Sequence, residues 1–315
     1  MAIGSGIGSS FGIATETTFN TGVTVSRFYE FTSESTNYNK NASVGMGLRA
    51  GGLLPRSQRR VITTFDATGN LVMDLPTRGL GLILAHGMGS FPTKSGSSFT
   101  FTLGDVYGKS FTSQIGVPQY GGTVTPKTLT GCKVSSFELT ASTGEIATGT
   151  FAIDAAGLTT STSLATPSYS LNGSVFHFAQ GAITVDGSAV ANIKSFNLSV
   201  DNTLKTDRYN LGSSGAKAEQ VINGFRKVTG SVTAEFTDTT LLAKFLADTT
   251  TALSLTLTAS GTEALQITVS AVKFDGAAPQ VAGPEVIDVE FSFEAYDNGS
   301  DAPLTIVYTT PDTSL

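Results

Sequence analysis

The chain has 315 residues, of which 40% are hydrophobic and only 14% charged, with 35 glycines, one cysteine, no tryptophan and a net charge of −6. Domains commonly run ~100–200 residues, so this length allows two units with separate cores. The composition argues against a disordered chain, the lone Cys132 excludes an internal disulfide, and the longest apolar stretch, Leu80 to Met88, falls far short of the ~20 residues a membrane-spanning helix needs.

The start, Met1 to Gly8, has no basic region followed by an apolar core, so no secretory signal is expected and synthesis in a cytoplasm is. Its Gly4-x-Gly6-x-Gly8 run follows no strand and opens no helix, which reads as a flexible arm and not as a dinucleotide site. Residues 37 to 60 form a long connection, where hairpin loops are usually ~2–5 residues. Leu71, Met73 and Leu75 then alternate with polar residues, the period of a half-buried strand. Pro76 can open a helix whose stripe is Leu80, Ile83 and Leu84, with Gly87 as the stop. Gly79 and Gly81 weaken that helix by ~1 kcal/mol each relative to alanine. Phe99, Phe101 and Leu103 alternate again. The stretch Glu145 to Ala155 puts Ala147, Gly149, Phe151, Ile153 and Ala155 inward, with Thr148, Thr150 and Asp154 outward.

A polar seam at Gly157 to Pro167 follows, and then the order repeats. Residues 203 to 227 form a second long connection. Val232, Ala234 and Phe236 alternate, and Thr237 or Asp238 can cap a helix bearing Leu241, Leu242, Phe245 and Leu246. Leu253, Leu255 and Leu257 alternate, as do Ile287, Val289, Phe291, Phe293 and Ala295, with Asp288, Glu290, Ser292 and Glu294 on the wet face. The last residues, Asp301 to Leu315, can add an edge strand through Leu304, Ile306 and Val307 or dock on a neighbour.

Two offsets express the repeat. Gly69-Asn70-Leu71-Val72-Met73-Asp74-Leu75 matches Gly230-Ser231-Val232-Thr233-Ala234-Glu235-Phe236, the offset that carries position 69 onto position 230. The run Glu145 to Ala155 matches Glu285 to Ala295 without a gap, a second offset that carries position 145 onto position 285. A repeat of this length is a duplicated domain, not a solenoid period. The expected organisation is an arm at 1–27, a first unit at 28–157, a linker at 158–174, a second unit at 175–300 and a tail at 301–315. The expected fold class is mainly β: two tandem β-sandwich or partial-barrel domains, each with one short α-helix and one long inter-strand loop.

The charge is unevenly placed. The first loop holds Lys40, Arg49, Arg56, Arg59 and Arg60 with no acid. The second holds Lys205, Arg208, Lys217, Arg226 and Lys227 against Asp207 and Glu219. Ten of the 19 basic residues thus lie in the loops, which carry +8, while the rest of the chain carries −14. Basic loops can keep strand edges soluble. They can bind phosphates, although Leu53, Leu54, Val221, Ile222 and Phe225 interrupt any phosphate track and the acidic body repels DNA. They can also reach onto the acidic body of another copy, head to tail, closing a ring or growing a filament.

The duplicated module, with its long basic loop, single helix and final alternating strand, resembles the tail tube (major tail) proteins of long-tailed bacteriophages, in a tandem two-domain form. The segments Gly6 to Gly12 and Glu16-Thr17-Thr18-Phe19 also resemble the arm of the longer family members. The resemblance implies a structural virion protein that is not an enzyme and self-assembles into stacked rings, the conduit for DNA into the host. Such rings hold six domains, so two domains per chain imply a homotrimeric, pseudo-hexameric ring. Its sheets would join into a lumen barrel, with the long loops contacting the next ring. By position, that stacking interface comprises Lys40, Arg49, Leu53, Leu54, Arg56, Arg59 and Arg60 in the first loop. In the second it comprises Lys205, Arg208, Tyr209, Lys217, Phe225, Arg226 and Lys227. A lumen that lets DNA slide should be acidic, and some of Glu34, Asp74, Asp201, Glu235, Asp288, Glu290 and Glu294 are expected to face it. The resemblance also implies tape-measure, tail terminator and distal tail proteins as partners, DNA passing without specific binding, no cofactor, no membrane anchor and a place in the virion tail.

Other chemistry finds little support. His86 ends the first helix and His177 lies between Phe176 and Phe178, with no Cys/His spacing for zinc. No Gly-x-Ser-x-Gly elbow is present. An acid near Glu138, Glu145 or Glu290 could mimic a glycosidase pair, but surface Glu is common on strands. The glycosylation patterns at Asn41, Asn172, Asn197 and Asn298 are expected by chance in so Ser/Thr-rich a chain. Two alternatives stay open. One is a tandem β-sandwich binding module, an adhesin or carbohydrate binder using Tyr38, Tyr107, Tyr120 and Tyr209. The other is a different phage tail ring protein, a terminator or baseplate component.

Overall fold

The computed structural model describes residues 5–169, 173–276, 278–281 and 283–315. The readings placed on Met1 to Gly4 and on Asn172 lie outside the described residues. Among the described residues the chain forms twenty β-strands and two short α-helices, α1 (Gly81–Met88) and α2 (Thr240–Leu246), a mainly β fold as expected. Eighteen of these strands join into one antiparallel network.

The backbone of the fold is a run of eight strands. In order they are Asn37–Val44, Arg60–Asp74, Thr148–Ala155, Val124–Ser142, Ile193–Asp201, Lys227–Glu235, Asp288–Ala295 and Glu263–Gly276. Four come from each half of the sequence. The middle pair, Val124–Ser142 with Ile193–Asp201, carries hydrogen bonding across the seam, from Asp201 opposite Ser136 to Ser195 opposite Ser142.

Both sequence offsets reappear as strand register. Gly69 faces Ile153 and Leu71 faces Phe151. At the equivalent positions of the second half, Gly230 faces Phe293 and Val232 faces Phe291. The next strand agrees, since Lys133 faces Asp154 and Lys273 faces Glu294. Gly69 and Gly230 occupy one equivalent site where a methyl group has no room. A Cβ would sit 2.5 Å from the Thr36 Cα in the first half, and 2.1 Å from the Asn197 carbonyl oxygen in the second.

One face of the run is apolar, because residues two apart share a side of the sheet. Leu71, Met73, Phe137, Phe151, Phe196, Leu198, Val232, Phe291 and Phe293 are all buried there. A second layer covers them. It contains Ser10–Thr15 paired with Phe111–Pro118, and Gly181–Val185 paired with Thr251–Ser260. Within the expected arm at 1–27, Ser10–Thr15 is therefore a core strand between Phe111–Pro118 and Arg27–Tyr29, with Phe11 and Ile13 buried. Glu16 anchors its end. Its carboxylate accepts hydrogen bonds from the Ser110 hydroxyl (2.7 Å), the Thr112 hydroxyl (2.9 Å) and the Gly131 amide (2.9 Å).

The helices differ in depth. Every residue of α1 is buried, and the Ile83 amide donates to the Tyr29 hydroxyl (3.2 Å). The helix ends at Gly89, with φ of 68°, and not at Gly87. Gly87 lies inside it because the Phe137 ring approaches to 3.0 Å of where a Cβ would stand. Pro76 lies before the helix and takes no part in its first turn. In α2 only Leu241 is fully buried, and Leu246 of the expected stripe points to solvent. Asp238 supports its start by accepting from the Thr240 amide (2.8 Å). Phe236, expected inward, is partly exposed just beyond its strand.

The C-terminal residues tie the halves together. Strand Leu304–Thr309 pairs with Glu263–Gly276 on one side and with Ser98–Thr102 on the other, so it is no edge. Leu304, Ile306 and Tyr308 face the core, while the expected Val307 faces away. Beyond the strand, the Asp312 carboxylate accepts from the Gly79 amide (2.6 Å), and Lys94 donates to the carbonyls of Thr310 and Asp312.

Candidate functional site

The second face of the eight-strand run is mainly polar, because most inward apolar residues are flanked by outward polar ones. Residues paired across neighbouring strands share a face. One row therefore runs Asp74, Thr148, Thr140, Asn197, Ser231, Ser292, Asp275. The adjacent row runs Val72, Thr150, Glu138, Ser199, Thr229, Glu294, Lys273. Both rows cross the seam without interruption. They consist mainly of small hydroxyl and amide side chains, with acids spaced among them.

Of the seven acids read from the sequence, six lie on this face: Asp74, Asp201, Glu235, Asp288, Glu290 and Glu294. Glu34 does not. It stands opposite the buried Leu71, on the other side of the sheet. Its carboxylate accepts from Lys127 Nζ (2.8 Å) and the Thr36 amide (2.7 Å). Burial pushes its pKa up, but these hydrogen bonds outweigh it and hold the group below the usual carboxylate range. Lys194 bridges two of the six, at 3.0 Å from Glu235 and 2.9 Å from Asp288. Asp201 accepts from the Thr203 amide, Glu294 accepts from the Tyr296 hydroxyl, and Glu290 is exposed.

The two basic loops diverge. Strands Asn37–Val44 and Arg60–Asp74 make a hairpin arm that projects from the end of the run. Along it Lys40, Arg49, Leu53, Leu54, Arg56, Arg59 and Arg60 are all exposed, with Met46 and Leu48 beside them. Lys40 lies over the Tyr38 ring, 5.2 Å from its centre. Among the described residues, none of the arm's five cations has a carboxylate within ion-pair distance.

The second loop folds back onto the first half of its own chain. Lys217 Nζ is buried between Asp154 (2.8 Å) and Asp66 (3.2 Å). Beside it Gln220 Nε2 donates to Asp154 (2.7 Å), and the Tyr209 hydroxyl donates to Asp66 (3.3 Å). Lys133 is buried from the other side and donates to Glu219 (2.6 Å) and to the carbonyls of Val106 and Gln220 (both 2.8 Å). Arg208 donates to the Glu219 carbonyl, and Arg226 donates to the carbonyls of Met88 (3.1 Å) and Gly104 (2.6 Å). Burial pushes the Asp154 carboxyl up and the Lys133 ammonium down, and together with Asp66 it pushes the Tyr209 hydroxyl up to about 12. Lys217, Arg208, Tyr209 and Arg226 are thus committed within the chain. Lys205, which pairs with Asp207 (2.8 Å), Lys227 and the fully exposed Phe225 remain at the surface.

Sequence reasoning missed Lys133, Asp154, Asp66 and Gln220. It placed Asp154 outward by alternation, which is right for the strand, but the second loop then covers it. One signal was present: Lys133 with Asp154 recurs at the second offset as Lys273 with Glu294.

Among the described residues no group of three or more His, Cys, Asp and Glu is placed to hold a metal, and no helix is long and apolar enough to cross a membrane. His86 is buried between the rings of Phe91 and Phe111, where burial pushes its pKa down to about 3. It is a packed core histidine. Comparison with the curated proteins finds no match. The family model described as "Phage tail tube protein" matches residues 6–295, nearly the whole chain. A mainly β chain with a long polar sheet face, matched over that span, belongs to the phage tail tube protein family and is a structural component of a phage tail.

Proposed function

We propose that this tail tube protein assembles head to tail into closed rings of three chains, and that the rings stack into a hollow conduit for DNA. The two halves, taken as residues 28–157 and 175–300 with the linker at 158–174, supply one equivalent sector each, so three chains give six. The observation that carries this reading is the mainly polar face that runs through three strands of the first half and four of the second. A surface of hydroxyls and spaced acids offers phosphates no cluster of cations, so no counterion release holds the DNA in place. Asp74, Asp201, Glu290 and Glu294 then face the lumen, with Glu235 and Asp288 partly neutralised by Lys194.

Stacking falls to the projecting arm, through Lys40, Arg49, Leu53, Leu54, Arg56, Arg59 and Arg60, joined by Lys205, Phe225 and Lys227. The arm's cations have no carboxylate partner among the described residues, and its exposed leucines suit a protein contact. Tape-measure, terminator and distal tail proteins complete the tail, with the protein made in the host cytoplasm and carried in the virion. Electron microscopy across a concentration series, combined with native mass measurement, tests this. Hollow tubes with three chains per ring are expected. Six chains per ring overturns the trimer, and an averaged map with the polar face outside overturns the conduit.

A further inference from the structure

Lysine–carboxylate pairs are usually wet, but the one beneath the second loop is enclosed. The Lys217 side chain is fully buried, that of Asp154 is 6% exposed and that of Asp66 20%. Lys217 Nζ stands 2.8 and 3.0 Å from the two carboxylate oxygens of Asp154 and 3.2 Å from Asp66 Oδ2. Among the described residues, its hydrogen-bond and ion-pair partners are thus all carboxylate oxygens. Lys133 in the same clasp differs. It donates to the carbonyls of Val106 and Gln220 as well as to Glu219, so two of its three protons are held by groups that cannot take them. Lys133 is locked as an ammonium, whereas Lys217 can pass protons to the groups that hold it.

The two acids are held differently. Gln220, itself fully buried, donates from Nε2 to Asp154 Oδ2 (2.7 Å) and draws electron density from the carboxyl carbon. Asp66 is fixed by Asn39 Nδ2 at Oδ1 (2.9 Å) and by the Tyr209 hydroxyl at Oδ2 (3.3 Å). Thr68 faces Asp154, so Asp66, two residues from Thr68, lies diagonally from Asp154 on the same face. Burial pushes the Asp154 carboxyl up, towards the protonated form that an amine attacks. Charges closed off from water are costly, so a neutral amine beside a carboxylic acid competes there with the ion pair. The second half has no such trio. The first offset carries Asp66 onto Lys227, and the second carries Asp154 onto Glu294.

We propose that Lys217 and Asp154 condense in the folded chain into an amide that bonds the second half covalently to the first, with Asp66 relaying the protons. One ammonium proton passes to Asp154, leaving a neutral amine beside a carboxylic acid. The Nζ lone pair forms a bond to Asp154 Cγ, and the carbonyl electron pair moves onto Oδ2, where Gln220 donates. Asp66 takes a proton from the nitrogen as general base, within hydrogen-bond reach at 3.2 Å. The oxyanion then re-forms the carbonyl, the Cγ–Oδ1 bond breaks, and Asp66 returns its proton to the departing hydroxide. The products are one amide and one water, and Asp66 is a carboxylate again. Holding the two groups in contact is equivalent to an effective concentration of roughly 10^5–10^8 M for well-oriented reactants. The bond closes a loop between positions 154 and 217, a cross-link that a chain with a single cysteine cannot make by oxidation. The reaction needs no neighbouring chain, so it is independent of how rings form.

Intact-mass measurement of the full, unsubstituted chain under denaturing conditions tests it. The mass should fall short of the sequence mass by one water. Proteolytic mapping should then find one branched peptide that joins Lys217 to Asp154. Lys217→Arg keeps a cation in the clasp but offers no attacking amine, and should show the full mass. Asp66→Asn keeps the side chain's shape but cannot relay protons, and most of that protein should also show the full mass. Thermal unfolding curves check that both variants fold, and the unsubstituted chain decides the question even where a variant does not. The full sequence mass in the unsubstituted chain overturns the proposal. So does a water loss confined to one unbranched peptide, as cyclisation at Asp186-Gly187 or Asp275-Gly276 gives. A branch at Lys133 and Glu219, or from Lys217 to Asp66, overturns the assigned roles.

Discussion

The two long loops carry five cations each and occupy equivalent places in the repeat, yet they behave in opposite ways. The loop of 203 to 227 buries Lys217 against Asp154 and Asp66 and commits Arg208 and Arg226 to main-chain carbonyls of its own chain. The loop of 37 to 60 extends as a hairpin, and its cations find no carboxylate among the described residues. Composition therefore does not set a loop's role; what lies beside it does. The second loop has the first half next to it, presenting Asp154, Asp66 and Lys133. The tip of the first loop projects away from the body, where another copy can meet it.

That contrast can be broken most severely at Lys217. Lys217→Ala leaves Asp154 buried without its cation and should cost about 3–5 kcal/mol in urea unfolding. Arg49→Ala on the projecting arm should change stability by less than about 0.5 kcal/mol. Equal effects would mean that the two loops are alike after all. Next in size is the shared glycine site. Gly230→Ala forces a methyl group onto the Asn197 carbonyl and the Phe293 ring, and should cost about 1–3 kcal/mol by calorimetry. Gly69→Ala should follow it closely, and a neutral result at either would deny that the two sites are equivalent.

A smaller effect distinguishes the two helices. His86 is buried in α1, and its pKa, pushed down to about 3, lies below the unfolded value. The unfolded chain then binds the proton that the folded chain refuses, so stability is full above the unfolded pKa and falls as the pH drops towards 3. About 1 kcal/mol should be lost by about pH 5.5. His86→Gln should flatten that slope in pH-dependent unfolding, and an unchanged slope would assign it elsewhere. The smallest stability change is expected for Arg56→Glu, Arg59→Glu and Arg60→Glu together. Thermal melts should be unaltered and rings should persist, but long tubes should vanish under the microscope. Long tubes in that variant would remove these arginines from stacking.

Strand alternation was readable in the chain because it is local. Phe151, Ile153, Phe291 and Phe293 are buried as their spacing implies. The repeat offsets proved to be strand registers, because equivalent residues of a duplicated sheet must face equivalent partners. Other readings failed where distant residues intervene. Gly87 reads locally as a helix stop, but Phe137 from a distant strand makes it a packing glycine. Glu34 reads as one of the possible lumen acids, but its stretch pairs so that it falls opposite the buried Leu71. Residues 10–15 fall within the expected arm at 1–27, but their pairing with Phe111–Pro118 makes them core.

The amino-acid sequence alone determined the mainly β class, the duplicated order of elements, the acidic body and the basic loops. These follow from periodicity and composition, which need no knowledge of what lies across a strand. Only the tertiary structure decided which acids share a face, where Leu304–Thr309 bridges the halves, and that one basic loop is an internal clasp. Those outcomes depend on contacts between residues far apart in the chain, such as Tyr308 with Phe99. Register, burial and a shared sheet edge bring them together, and local sequence carries no record of that.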